Sequence, residues 1–272
     1  MHTTRLVKGH AYGNDFLLAA DDGTLPDIPA FTRAVCARHL GVGADGLILF
    51  TLGEQRATMR LWNADGSESE LSGNGLRCLA AHVARVQDLQ PGAVIRVETG
   101  AGLKTLDLLA RDGAGFLFRA AMGHPEQLRE VELDAAGETV KASVLQMGNP
   151  QCVVLGPLPD TARFNRLGPA LATHAAFPAG TNVEFAYVEA PDRVRILIWE
   201  RGVGPTTSSG TGSSASAVAA AAHGGAAREV DIVAPGGTQR VAWTTEGVFL
   251  TGWAQIVLDG EWTGGAPDAH VS

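Results

Sequence analysis

Asn63-Ala64-Asp65-Gly66-Ser67-Glu68-Ser69-Glu70-Leu71-Ser72-Gly73-Asn74-Gly75 decides the reading of this chain, because a second stretch, from Glu200 to Ser209-Gly210-Thr211-Gly212, repeats its layout. Asn63 precedes Ser72 by nine positions, and Glu200 precedes Ser209 by nine. The two serines stand 137 positions apart, and other pairs recur at nearly that offset. Gly13-Asn14 matches Gly148-Asn149, and Asp45-Gly46-Leu47-Ile48 matches Asn182-Val183-Glu184-Phe185. The repeat is half the chain, too long for a solenoid unit of roughly 20 to 50 residues, so it predicts two homologous domains.

Each quoted stretch follows a strand-like run: Ala57 to Trp62 delivers Asn63, and Val194 to Trp199 delivers Glu200. Each precedes an alanine-rich segment with few charges, Leu76 to Val86 and Ser213 to Ala222. Ser-Gly-x-Gly therefore reads as the start of a buried helix in both halves. The unpaired N–H groups of a helix start favour an anion, and glycine lets a ligand approach the backbone. Serine is also a good N-cap in its own right. Two such loops in register predict one shared site for a small carboxylic acid.

The fold class that follows is α/β (α+β), with two pseudo-symmetric domains, each a strand-rich sheet or barrel wrapped around a central helix. Asp112-Gly113-Ala114-Gly115 marks the boundary, giving domains 1–113 and 114–262 and a loose tail 263–272, with the last strand able to return to the first domain. Arg5-Leu6-Val7-Lys8 and Asn14 to Leu18 read as strands around a glycine turn, Ile28 to Leu40 as a helix, and Pro235-Gly236-Gly237 as a late turn.

The totals narrow the function. The 272 residues are 45% hydrophobic and 18% charged, as suits packed soluble domains, and the net charge of −8 gives no basic footprint for nucleic acid. The start has no apolar h-region and no run is long enough for a membrane span, which predicts a cytoplasmic protein with no membrane partner. Three scattered cysteines, Cys36, Cys78 and Cys152, suggest buried thiols rather than disulfides or a metal site, and the eight histidines, among them His39, His82 and His223, are dispersed. Gly41-Val42-Gly43-Ala44-Asp45-Gly46 spells a dinucleotide fingerprint, but it follows a helix and precedes a strand, the reverse of the required order. No G-x-S-x-G elbow is present. No cofactor and no metal is called for.

Taken together, these motifs resemble the diaminopimelate epimerase family of cofactor-independent amino-acid racemases and epimerases, from Lys8 to about Glu261. The carrying residues are Gly13-Asn14-Asp15-Phe16, Gly41 to Gly46, Asn63 to Ser67, Gly73 to Cys78, Met147-Gly148-Asn149-Pro150, Asn182 to Phe185, Glu200 to Gly204, Gly210-Thr211-Gly212 and Pro235-Gly236-Gly237. The resemblance implies a homodimeric isomerase acting on an amino acid or dicarboxylic substrate. Acid/base residues would stand at positions 72 and 209, and the helix starts Gly73-Asn74 and Gly210-Thr211 would hold the reacting carboxylate. Asn63, Asn182 and Arg201 would grip the distal carboxylate, and Asn14, Asn149 and Glu200 would complete recognition.

Both acid/base positions, cysteine in the family, are serine here. Gln151 replaces a histidine, Pro205 an acid, and Ser213-Ser214 a small residue with cysteine. A thiol titrates near 8.5 and an aliphatic hydroxyl near water's roughly 15.7, a gap of about 7 units or about 10 kcal/mol. A helix start returns at most about 2 kcal/mol. The alternatives are a carboxylate base, drawn from Asp65, Glu68 or Glu200 as in the phenazine-biosynthesis isomerases of this fold, or a protein that binds amino acids without turning them over.

Overall fold

The computed structural model describes residues 3–264; positions 265–272 of the stretch read as a tail lie outside them. The described chain forms two compact units, residues 3–120 with 253–264, and residues 121–252. The turn at 112–115, taken from sequence as the boundary, closes a hairpin within the first unit, with Asp112 opposite Gly115. The chain changes unit a few residues later, because the strand after the turn must first complete its pairing.

In the first unit, β1 (Thr4–Ala11) and β2 (Asn14–Ala20) form a hairpin. Its two turn residues, Tyr12 and Gly13, have φ of 56° and 86°, the primed-turn geometry that follows strand twist. Helix α1 (Ile28–Cys36) is capped by Asp27 and is shorter than the Ile28 to Leu40 read from sequence, because Ala37 turns into extended backbone. Strand β3 (Gly46–Gly53) lies parallel to β2 and antiparallel to β4 (Arg56–Asn63), which also pairs with the short β5 (Glu68–Ser69). After α2 (Gly73–Val86), β6 (Val94–Thr99) runs parallel to β4 and leads into β7 (Gly102–Asp112) and β8 (Gly115–Gly123). The free edge of β1 is taken by the C-terminal part of β17 (Gly247–Trp262), with Thr4 opposite Trp262.

The second unit repeats that order. Strands β9 (Glu126–Ala135) and β10 (Glu138–Gln146) pair, and β10 continues into β11 (Pro150–Leu155). Helix α3 (Thr161–Ala172), which the sequence reading lacked, occupies the place of α1. Strand β12 (Asn182–Ala190) is parallel to β11 and antiparallel to β13 (Arg193–Glu200), which pairs with β14 (Gly204–Thr206). Helix α4 (Gly210–His223) follows, and β15 (Glu229–Ala234) runs parallel to β13 before β16 (Gly237–Thr244) and residues 247–252 of β17.

The strands define the repeat more finely than the sequence does. Phe16 opposes Gly46 where β2 meets β3, and Gln151 opposes Asn182 where β11 meets β12. Gly46 and Ile48 are therefore the counterparts of Asn182 and Glu184, one position away from the sequence match of Asp45 with Asn182. Loops of slightly different length absorb the slip.

The strands of each unit pack around a buried helix. Leu76, Leu79, Val83 and Ala84 of α2 have little or no exposed surface. In α4 the buried face is almost all round and made of small residues, Ala215, Ala217, Val218, Ala219 and Ala220, packed on Ile196, Ile198, Ile232, Val241 and Leu250. Two of its buried hydroxyls are satisfied, Ser213 donating to Gln239 Oε1 at 2.8 Å and Ser214 to the Gly210 carbonyl at 2.8 Å, whereas the buried Ser216 hydroxyl has no partner among the described residues. No described helix is long and apolar enough to cross a membrane.

Candidate active site

Each serine singled out by sequence caps a central helix. Ser72 Oγ accepts the Gly75 N–H at 3.1 Å at the start of α2, and Ser209 Oγ accepts the Gly212 N–H at 3.2 Å at the start of α4. The serine backbone is extended in both, with φ/ψ of −129°/124° and −140°/126°. The first turn of each helix, Gly73-Asn74 and Gly210-Thr211, thus places backbone N–H groups beside a hydroxyl.

Around α2 the first unit gathers a polar network. Asn74 Nδ2 donates to Asn14 Oδ1 at 3.0 Å, and Asn14 Nδ2 donates to Asp45 Oδ2 at 2.7 Å. The buried Arg77 guanidinium also donates to Asn74 Oδ1. The turn is pinned from below by Asp15, which meets Lys8 at 2.9 Å and Arg38 at 2.8 Å. Burial alone would raise Asp15, but the hydrogen bonds from Arg38 and Lys8 outweigh it and hold the carboxyl below its usual range. Asn63, at the end of β4, donates to Ser67 Oγ at 3.0 Å.

The two acids of this loop differ in what they do. Asp65 accepts both the Ser67 hydroxyl at 2.6 Å and the Ser67 N–H at 2.8 Å, an Asx turn whose bonds, the hydroxyl's above all, hold the carboxyl below its ordinary value. A depressed, exposed carboxylate is a weak base. Glu68 is exposed on β5 and lies 4.0 Å from Arg60.

In the second unit, Asn182 Oδ1 accepts the Arg201 N–H at 2.9 Å, and Arg201 Nη1 donates to the Ala179 carbonyl at 2.8 Å. Thr206 Oγ1 donates to Glu200 Oε1 at 3.0 Å. The buried Gln151 amide is satisfied at both ends when its NH₂ faces the Glu184 carboxyl, at 3.1 and 3.2 Å, and its oxygen faces Thr211 Oγ1 and Asn182 Nδ2, each at 3.2 Å. In that orientation the Gln151 oxygen also faces the Asn149 side chain at 2.6 Å, accepting from its NH₂ once the Asn149 amide is turned to match. Asn149, Asn182, Arg201 and Thr211 are thereby joined through one glutamine.

Glu184 was not singled out as a site residue by sequence, although an acid inside the otherwise apolar run Val183 to Tyr187 was the available signal. It has no exposed surface, and burial, reinforced by the charge of Glu200, pushes its carboxyl well above the ordinary range. Val183 and Phe185 face α3 with Leu167 and Leu171, while Ala186 packs with α4, so the period of two puts Glu184 on the α4 face. A Cβ on Gly212 would sit 2.5 Å from Glu184 Oε1. The carboxyl therefore lies directly under the first turn that Ser209 caps.

A carboxyl raised by folding contributes stability that is fully present below its unfolded value near 4.5 and is lost as pH rises through the folded value. Glu184→Gln removes that dependence. Denaturant midpoints compared from pH 5 upward are expected to move in favour of the variant as pH increases; a constant difference would contradict the neutral acid.

The three thiols are not relocated acid/base groups. Cys36, Cys78 and Cys152 are all free and buried, in α1, α2 and β11. Burial pushes Cys36 and Cys78 up to about 12, and Cys152 is raised as well. Among the described residues no cluster of three or more His, Cys, Asp or Glu is placed to bind a metal.

The family model described as Diaminopimelate epimerase matches residues 6–128 and 143–257. A diaminopimelate epimerase of Desulforudis audaxviator is 42% identical over 94% of this chain and 98% of its own length. That of Desulfitobacterium hafniense is 38% identical over 94% and 96%. Among solved structures, a predicted epimerase from Pseudomonas aeruginosa superposes with TM-score 0.74 at 16% identity, covering 96% of this chain and 100% of its own. A probable proline racemase from Agrobacterium radiobacter gives 0.72 at 18%, covering 98% and 94%.

Proposed function

This chain belongs to the diaminopimelate epimerase family, and on that premise we propose that it inverts the α-carbon of diaminopimelate, without a cofactor, as a cytoplasmic homodimer. In this reading Ser72 and Ser209 are the acid/base residues. One removes the α-hydrogen and the other returns a proton, and the roles exchange with direction. The two helix starts hold the reacting carboxylate, where N–H groups and the helix dipole oppose the negative charge that builds up as the α-hydrogen leaves.

Arg201, fixed through its backbone by Asn182, supplies the fork for the distal carboxylate, with Asn63 in support. Asn14, Asn149 and Glu200 recognise the distal amino-acid end. The observation that carries the reading is the pair of serine caps, each starting the buried helix of its own unit at the equivalent place in a repeated fold.

Proton exchange tests it. In D₂O, diaminopimelate is expected to gain deuterium at the α-carbon faster than in buffer alone, with other amino acids slower. No exchange above buffer with any amino acid would sink the reading, and tight calorimetric binding without exchange would identify a binding protein instead. The carboxylate alternative narrows to Glu200, since Asp65 is bound into its own turn. Exchange lost on Glu200→Gln but kept on Ser209→Ala would select it.

A further inference from the structure

The repeat supplies its own control for asking which residues the fold needs. Strand register makes Phe16 the counterpart of Gln151 and Ile48 the counterpart of Glu184. Beneath the capped helix start of the first unit, the architecture is thus closed by two buried apolar side chains. Ile48 Cδ1 stands 3.0 Å from where a Gly75 Cβ would lie, just as Glu184 Oε1 stands under Gly212. The same two places in the second unit hold an amide and an acid, both buried, hydrogen-bonded to one another.

Such an exchange works against stability. An acid taken out of water with no cation beside it is costly, and apolar residues of similar size are commonly as stable or more so. The fold manages without this pair in the first unit. What the pair adds in the second is connection, since Gln151 reaches Asn182, Thr211 and Asn149, and Asn182 carries the backbone of Arg201.

We infer that Gln151 and Glu184 are a positioning pair for substrate in the second unit: Glu184 locks the Gln151 amide, and Gln151 sets the orientation of Asn182 and Thr211 and thereby of Arg201. The inference rests on the function proposed above for the residues it positions. Neither member needs to touch the reacting atoms. The weakened acidity of Glu184 fits the role, because burial favours the uncharged carboxyl, which can stay beside Gln151 without a counter-ion.

The decisive variant makes the second unit resemble the first, Gln151→Phe together with Glu184→Ile. It is expected to fold with a denaturant midpoint at or above that of the parent, while KM for diaminopimelate rises about tenfold or more and kcat changes less. Glu184→Ala alone is expected to raise KM in the same way, and Glu184→Gln to recover most of that loss, because an amide supplies the same hydrogen bonds without charge. A double variant whose kcat/KM stays within about twofold of the parent would overturn the inference, as would Glu184→Gln behaving like Glu184→Ala. Carbon-13 NMR of glutamate carboxyls reads the pair without turnover. One resonance, missing in Glu184→Gln, is expected to titrate above the ordinary carboxyl range and to shift in Gln151→Ala. A Glu184 that titrates in the ordinary carboxyl range, or a signal indifferent to Gln151, overturns the pairing even if no amino acid is turned over, whereas absence of exchange in the parent counts against the reaction alone.

Discussion

Restoring thiols at both helix caps, Ser72→Cys with Ser209→Cys, is expected to raise α-hydrogen exchange into diaminopimelate by at least about 10³-fold. The hydroxyl and thiol differ by about 7 units of acidity, and if half of that gap is expressed in proton transfer the gain is about 10³ to 10⁴. The helix starts are already built, with the cap accepting from the third residue of each helix, so the change replaces one atom rather than the scaffold. Cys36, Cys78 and Cys152 are buried, with their acidity weakened by that burial, and do not confound the result. Single variants separate the two serines: each is expected to speed deuterium entry into one stereoisomer more than the other. A double variant no faster than the parent would mean that the serines do not stand where a proton is transferred.

The second large effect concerns stability. Gly75 and Gly212 occupy the same place in the two Ser-Gly-x-Gly loops, yet alanine is expected to be tolerated at one and not at the other. A Cβ at 75 meets Ile48 Cδ1 at 3.0 Å and Met59 Cε at 3.4 Å, ends of apolar chains that can turn aside. The helix preference of alanine over glycine offsets part of that cost, leaving a change within about 1 kcal/mol. At 212 the Cβ meets Glu184 Oε1 at 2.5 Å and Cδ at 3.1 Å. The carboxyl cannot retreat without leaving Gln151, so Gly212→Ala is expected to cost about 3 kcal/mol. Urea unfolding of the two variants decides it, and equal midpoints would show that Glu184 is not fixed.

Much of this was legible in the sequence because local chemistry and fold agree there. Ser72 and Ser209 announce helix starts through the glycines that follow, and Asn63 and Glu200 end strands whose apolar alternation is plain. Helix α3 was not legible, since Gly168 and Pro169 fall inside it, residues that ordinarily break a helix and are held here by tertiary packing on Trp199. Glu184 stayed hidden for a different reason. Its meaning lies in what covers it, and strand register across a distance of more than thirty residues, from Gln151 to Asn182, is not written in either segment alone.

The pairing of β1 with the end of β17 bears on the order in which the molecule is born. The ribosome releases residues 121–252 as one uninterrupted stretch, and that stretch can settle its own partners as soon as it emerges. The first unit cannot: Thr4 waits for Trp262, which is made only after the whole of the second unit. The half of the protein that is made first is therefore the half that is finished last, and until then its opening strand carries an unpaired edge within reach of any neighbouring chain.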